Sequence, residues 1–292
     1  MWLLALSLLS GAQRPYIPVA PGETLHVEVR AETGEPVAII PGLFGGGFGF
    51  RKVVPLLVAR GYRPIVIEPL GTGFSGRPEK ADYSLAAQAH RIAAALDSLH
   101  TGPALVLAHS LGGAMAFRLA LERPDLVRGI VSLEGGPSEE ATTSGFRSAM
   151  RYVPWIKLFG GINLVRRKIR AMLIDASGDR SWITDGVVSG YTLGDARNFD
   201  ATLRAYLAMA RAREPQKLAP RLAEVRCPVL LVVGTARHDG DVDPREVGLL
   251  AHALRSFEVD TEPGAGHYLQ EERPAAVVAA VERLAQWGAK TR

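Results

Sequence analysis

A serine stands where an apolar β-branched run meets a stretch of small residues: Ala104-Leu105-Val106-Leu107-Ala108 leads into His109-Ser110-Leu111-Gly112-Gly113. A strand that turns sharply into a helix holds such a hydroxyl above the carboxyl edge of a sheet. Small residues two before and two after it let the backbone fold that tightly. The helix N-terminus aims main-chain N–H groups at an oxyanion formed beside Ser110. A serine in a βα turn can also be a simple N-cap, so the chemistry depends on partners elsewhere.

A serine hydroxyl becomes a good nucleophile only when a base takes its proton. Of the 7 histidines, His267 is the best placed. It lies in Gly264-Ala265-Gly266-His267, after a strand over Phe257–Thr261 and before the last helix, on a loop at the same edge. His26, His90, His100 and His252 read as structural, and the side chain of His109 is expected to point away from the nucleophile into the fold. Oxyanion donors come from Pro41-Gly42-Leu43-Phe44-Gly45-Gly46-Gly47, after the strand at Val37–Ile40; the Leu43 N–H is the first and the Leu111 N–H the second.

The carboxylate that orients His267 has two candidate positions. Glu134 closes the strand before a long helical insertion. Asp239 lies in Gly234-Thr235-Ala236-Arg237-His238-Asp239-Gly240-Asp241-Val242-Asp243, after the strand that follows the insertion. Asp241 and Asp243 are weaker alternatives there, and Asp243 before Pro244 looks like an N-cap with proline at the first helical position.

These residues need a scaffold. Val37–Ile40, Pro64–Ile67, Ala104–Ala108, Gly129–Leu133 and Val229–Val233 read as strands, alternating with helices over Phe50–Arg60, Ser84–Leu99 and Leu111–Leu121, with Pro274–Gln286 closing the chain. That alternation is the signature of a parallel sheet covered by helices. Between about Ser138 and Glu224 strand signals vanish, and helical segments are expected near Phe146–Arg151, Leu164–Ile174 and Asn198–Arg211.

The 292 residues, 47% hydrophobic and 22% charged, exclude a disordered chain, a collagen-like repeat and a polytopic membrane protein. A net charge of +4, evenly spread, gives no reason to expect a nucleic-acid partner. The single cysteine, Cys227, rules out an internal disulfide and a cysteine-built zinc site. Trp2–Leu9 has the length of a signal-peptide apolar core but no basic residue before it, so residues 1–20 read equally as an export signal or as an attached strand or anchor. Localisation is therefore open between the cytoplasm and export or membrane association, and oligomeric state is not indicated.

Together the serine elbow, the glycine-rich loop and the late histidine resemble the α/β-hydrolase superfamily, specifically its capped serine hydrolases of the esterase and lipase type, from about Leu25 onward. The resemblance implies a mostly parallel sheet flanked by helices, with a helical cap inserted after the sixth strand. The catalytic domain would be residues 21–137 and 225–292, and the cap 138–224. It also accounts for Glu68–Gly76 as the family's turn after the next strand, with Ser75 structural. Three departures stand out: Pro41 replaces the usual His before Gly42, Ala108 replaces the first elbow Gly, and the aspartate after Gly234 comes two positions late.

The superfamily's epoxide hydrolases and dehalogenases use Asp as nucleophile, whereas Ser110 implies an acyl-enzyme. The expected reaction is hydrolysis of carboxylic esters, with Ser110 attacking, His267 as base and then acid, and no metal or organic cofactor. Carbon–carbon hydrolysis, lyase chemistry and cofactor-free haloperoxidase-like activity use the same residues, and a non-catalytic ligand-binding module is the alternative outside enzymes. The expected partner is a small acyl substrate. In the insertion, Tyr152–Phe159 and the basic run Leu164–Arg170 pair apolar and cationic residues as a membrane-surface contact or an acyl-chain entrance would, but packing of the apolar side on the catalytic domain, with the charges solvated, is the preferred reading.

Overall fold

The computed structural model describes residues 15–140, 161–238 and 240–290. Asp239 lies outside the described residues, as do Trp2–Leu9, Phe146–Arg151 and Tyr152–Phe159. Eight strands form one sheet: β1 (Tyr16–Ala20), β2 (Glu23–Val29), β3 (Glu35–Ile40), β4 (Tyr62–Ile67), β5 (Ala104–His109), β6 (Val127–Leu133), β7 (Val229–Gly234) and β8 (Phe257–Glu262), in the order β1-β2-β4-β3-β5-β6-β7-β8. β1 and β2 pair antiparallel, β2 joins β4 antiparallel, and every later pairing is parallel.

The apolar runs become central strands because both of their faces are covered. β5 is buried along its whole length, as a strand with helices on both sides requires. On one face lie α2 (Leu85–Ser98), α3 (Leu111–Glu122) and Leu250 of α7 (Pro244–Ala253). On the other lie α1 (Val53–Ala59) and α9 (Pro274–Lys290) through Val53, Leu57, Val281 and Leu284. α2 begins at Ser84, whose side chain accepts from the Ala87 N–H, and α7 begins at Pro244 with Asp243 accepting from the Arg245 N–H. The helix expected over Phe50–Arg60 is shorter: Gly46–Phe50 is a 3-10 turn and α1 starts at Val53. Gly46, Gly47 and Gly49 favour the tight turn over a helical start.

Between β6 and β7 lie α4 (Gly161–Asp175), α5 (Asp185–Arg197), α6 (Phe199–Arg211) and a 3-10 segment at Ala219–Glu224, with no strand among the described residues there. α8 (Leu269–Glu272) is a single turn before α9.

Register sets the site. Ile40 pairs with Ala108, His109 with Leu133, and Leu133 with Val232, so β3, β5, β6 and β7 end at one edge. The chain steps from β3 outward to β4, then crosses back over β3 to β5. The reversal puts a topological switch point at the carboxyl ends of β3 and β5, the place where open α/β sheets bind ligands. Ser110 is the first residue past β5.

Candidate active site

Ser110 has φ 52 and ψ −121, between β5 and α3. That backbone is costly for a non-glycine residue and persists only where its surroundings enforce it. They do so tightly. The Ser110 N–H donates to Leu133 O at 2.8 Å, and its carbonyl accepts from the Gly113 N–H at 2.9 Å. A Cβ at Gly112 would sit 2.3 Å from the Ile40 carbonyl oxygen, and one at Gly113 2.5 Å from Ser132 Oγ. Both glycines are therefore steric requirements of the elbow. Ala108 in place of the family's first glycine is fully buried in β5 and is accommodated there.

Leu111 opens α3, so its N–H has no acceptor within the helix. The Gly42 segment lies against the serine: a Cβ on Gly42 would meet Ser110 Cβ at 3.2 Å. Pro41 cannot brace this loop as a histidine would, and the bracing comes from other residues. Glu68, buried at the end of β4, accepts from the Gly47 N–H at 2.8 Å and the Phe74 N–H at 2.6 Å, and stands 3.1 Å from His26 Nδ1. From the insertion, Tyr206 Oη reaches Leu43 O at 3.2 Å and Asp195 Oδ2 at 2.7 Å. Burial pushes the Asp195 carboxyl up to about 6 despite Tyr206 and Arg77. A small cavity lined by Glu68, Asp195 and Phe74 lies behind this loop. Its lining includes none of Ser110, Leu111 and His267, so it is not where an ester would meet the serine.

His267 arrives on the loop after β8. Its N–H donates to Ala176 O at 2.8 Å, a tie from the end of α4. His109 Nε2 lies 2.9 Å from the His267 carbonyl oxygen, and the two rings are 4.8 Å apart. His109 does point into the fold as expected, but there it supports the loop that carries His267. Burial, with His109 and His238 nearby, holds His267 well below 6.5, and burial takes His109 down to about 4. Both rings are neutral near pH 7, as a proton acceptor must be.

Glu134 follows β6 with φ 48 and is 3% exposed. One oxygen accepts from the Gly234 N–H. The other, Oε2, stands 3.5 Å from His238 Nε2. Glu134, His238 and His267 each contribute one ligand atom to a cluster in which all such atoms lie within 4.8 Å. Asp241 Oδ1 is 2.8 Å from the same His238 nitrogen. Burial would lower the His238 pKa, but Glu134, the Ala236 carbonyl and Asp241 outweigh it and hold it up to about 8. Asp243 caps α7 and takes no part.

The structure thus brings Ser110, Leu111 and the Gly42–Leu43 loop together, and clusters Glu134 with His267. Sequence reasoning gave no role to His238 or Tyr206, and it placed Glu68 only at the start of a structural turn. His238 was visible only as a histidine in a run of aspartates, and the other two act through contacts far apart in sequence.

A sheet of this order, with a strained serine at the β5–α3 elbow and a histidine after the last strand, defines an α/β hydrolase. The family model for the alpha/beta hydrolase family matches residues 37–281, and the chain belongs to that family. Among curated relatives, an uncharacterized hydrolase, YugF, of Bacillus subtilis is 26% identical over 88% of this chain and 92% of its own length. A 2-hydroxy-6-oxononadienedioate/2-hydroxy-6-oxononatrienedioate hydrolase of Paraburkholderia xenovorans is 28% identical over 85% of this chain and 86% of its own. Among solved structures, a thermophilic esterase from Thermogutta terrifontis superposes with TM-score 0.74 at 22% identity, covering 94% of this chain and 99% of that one. The protein is a hydrolase of the α/β-hydrolase superfamily. Among the described residues no helix is long and apolar enough to cross a membrane.

Proposed function

We propose that this hydrolase cleaves carboxylic esters through an acyl-enzyme on Ser110. The observation that carries the reading is the backbone of Ser110, held at φ 52 and ψ −121 beside the first N–H groups of α3. Strain of this kind at a polar residue beside the switch point of the sheet is expected where a nucleophile must be presented. His267 takes the hydroxyl proton as the oxygen attacks the carbonyl carbon and returns it to the leaving alcohol. The Leu43 and Leu111 N–H groups hold the oxyanion, and water, activated by the same histidine, then releases the acid.

Glu134 is the orienting carboxylate of this reading, because it is buried within the same cluster as His267. No hydrogen bond joins the two directly; catalytic contacts of this kind commonly tighten when substrate binds. The helices α4–α6 act as a cap, supported by Tyr206 on the Leu43 carbonyl and by Ala176 on the His267 N–H. The relative from Paraburkholderia supports carbon–carbon hydrolysis as a second reading for the same residues.

The test is hydrolysis of a nitrophenyl ester series from acetyl to palmitoyl by the wild-type protein and by Ser110→Ala, with fluorophosphonate labelling of both. Ser110-dependent turnover and labelling support the acyl-enzyme. A folded protein that labels but cleaves no ester shifts the assignment to carbon–carbon hydrolysis, and one that neither labels nor turns over is not a serine hydrolase.

A further inference from the structure

We infer that Glu134, His238 and His267 form a binding site for a divalent transition-metal ion of the zinc class, and that the bound ion silences hydrolysis by occupying Nδ1 of His267. The silencing rests on the reading of His267 as the base; the binding does not.

Two ring nitrogens in this cluster are buried without a hydrogen-bond partner, His238 Nε2 and His267 Nδ1. A buried polar atom left unpaired is costly, and here two of them adjoin one buried carboxylate. His238 Nδ1 lies 2.6 Å from Ala236 O. In the neutral ring that contact places the proton on Nδ1 and the lone pair on Nε2, where Glu134 Oε2 stands 3.5 Å away and Asp241 Oδ1 2.8 Å away. Two carboxylates at one ring nitrogen call for a positive charge among them, which the ring's own proton supplies near pH 7 and which a bound ion would replace. Neither oxygen meets the geometry of a hydrogen bond to that nitrogen. An oblique approach is what neighbouring ligands of one shared ion show.

The distances suit a small ion. Bonds of about 2.0–2.1 Å in a tetrahedron put ligand atoms about 3.3 Å apart, close to the 3.5 Å between His238 Nε2 and Glu134 Oε2. The widest separation, at most 4.8 Å, needs a closure of up to about 1.5 Å to reach that tetrahedral edge. The outer supports of a metal site are already in place. His238 Nδ1 is turned to a main-chain carbonyl, and the second Glu134 oxygen is held by the Gly234 N–H, the arrangement that orients metal-bound histidines and carboxylates. Asp241, whose side chain is 55% exposed, supplies a fourth ligand and a path from solvent. Two imidazoles with carboxylates favour Zn²⁺ over Mg²⁺, which takes oxygen ligands in octahedral array.

The consequence for catalysis follows from the proton count. A neutral imidazole carries one N–H. A metal on Nδ1 of His267 displaces that proton to Nε2, and a ring protonated at Nε2 cannot accept the proton of Ser110. No oxidation or bond cleavage is involved, and chelation reverses the change.

The experiment is calorimetric titration of the EDTA-treated, dialysed full-length chain with ZnCl₂, with MgCl₂ as control, alongside nitrophenyl acetate hydrolysis at each zinc concentration. One saturable zinc per chain is expected, with binding weakened at least tenfold in both His238→Ala and Asp241→Asn. Hydrolysis, scaled to each protein's own zinc-free rate, should fall in step with occupancy. Co²⁺ read by visible absorbance gives a check that needs no variant, since tetrahedral ligation produces intense bands. Absence of saturable binding, equal affinity in wild type and His238→Ala, or a cobalt spectrum of the hydrated ion overturns the site. Zinc bound in a His238-dependent way with hydrolysis unchanged overturns the silencing. If zinc binds as expected but the zinc-free protein shows no Ser110-dependent turnover, the binding stands and the serine-hydrolase reading falls.

Discussion

His109 and His267 are joined side chain to backbone: Nε2 of the first lies 2.9 Å from the carbonyl oxygen of the second, with the rings 4.8 Å apart. The residue before the candidate nucleophile thereby fixes the loop of the candidate base, and the elbow carries both. With His109 held at about 4 by burial, the ring is neutral near pH 7 and donates Nε2–H to that carbonyl.

His109→Leu removes the donor and leaves the buried carbonyl unpaired, which is expected to cost about 1–3 kcal/mol of stability. Displacement of the base should lower kcat about 10- to 100-fold with a smaller effect on KM. His109→Gln, which retains a donor, should recover part of both. Urea unfolding and nitrophenyl acetate kinetics on the two variants measure this; equal behaviour of Leu and Gln would dismiss the hydrogen bond as the cause.

Ser110 shows the same linkage between strain and activity. At φ 52 and ψ −121 glycine is the comfortable residue. Ser110→Gly should raise stability by about 1 kcal/mol while abolishing ester turnover, and Ser110→Ala should abolish turnover without that gain. Paired thermal melts decide it, and a Gly variant less stable than wild type would show that the hydroxyl contributes more than the strain costs.

The acid assignment separates by substitution. Glu134→Gln keeps an acceptor for the Gly234 N–H but removes the charge from the His238–His267 cluster. A fall in kcat of about 10²- to 10⁴-fold is expected. Asp239→Asn should cost less than tenfold. Steady-state kinetics on the two folded variants give the answer, and the reverse ranking would transfer the role to Asp239.

Much of this site could be read from the chain, and the parts that could not were hidden for physical reasons. Ser110 and His267 sit beside local signals, an apolar strand before the one and a glycine-flanked loop around the other. The Asp243-Pro244 start of α7 is likewise a local cap. The β1–β2 hairpin escaped notice because both strands are partly exposed and β2 mixes charged with apolar residues. α5 escaped because Gly186, Gly190, Gly194, Val187, Val188 and Thr192 all weigh against helix. Packing reverses that propensity: a Cβ on Gly190 would sit 2.2 Å from the Phe48 ring, so the glycines are there for close approach. Its local signals are at the ends: Thr184, whose side chain caps the Val187 N–H, with Asp185 in the first turn and Arg197 in the last. His238 meets Glu134 across more than a hundred residues, and no local pattern announces such a contact.

Asp195 gives a pH dependence with a definite sign. Its folded value of about 6 lies above the ordinary 3.8, so between these values the folded state binds more protons than the unfolded. Stability from this group is present below about pH 4 and is lost as pH rises through 6, by up to about 3 kcal/mol. Asp195→Asn cannot ionise and can donate to Tyr206 Oη, leaving the tyrosine proton for the Leu43 carbonyl. The difference in urea stability between variant and wild type should therefore grow in the variant's favour from pH 4 to 7. A constant difference would show that Asp195 does not titrate in that window.

Two glycines in helices should respond in opposite ways to the same added methyl group. In α7, a Cβ on Gly248 meets nothing within 4 Å. Gly248→Ala should therefore raise stability by about 0.5–1 kcal/mol, through helix propensity and a less flexible unfolded chain. In α5, a Cβ on Gly194 would lie 2.4 Å from Gly73 O and 2.5 Å from Gly73 C. These are backbone atoms that no rotamer change can move, so helix or loop must shift. Gly194→Ala has the same propensity gain, yet should be destabilised by about 1–3 kcal/mol. It should also slow ester turnover, because α5 lies against the Gly73 turn whose Phe74 N–H is held by Glu68, the residue that braces the Gly47 N–H beside the oxyanion loop. Thermal melts and nitrophenyl acetate rates on the pair separate propensity from packing; a stabilised Gly194→Ala would mean that α5 does not press on the Gly73 turn.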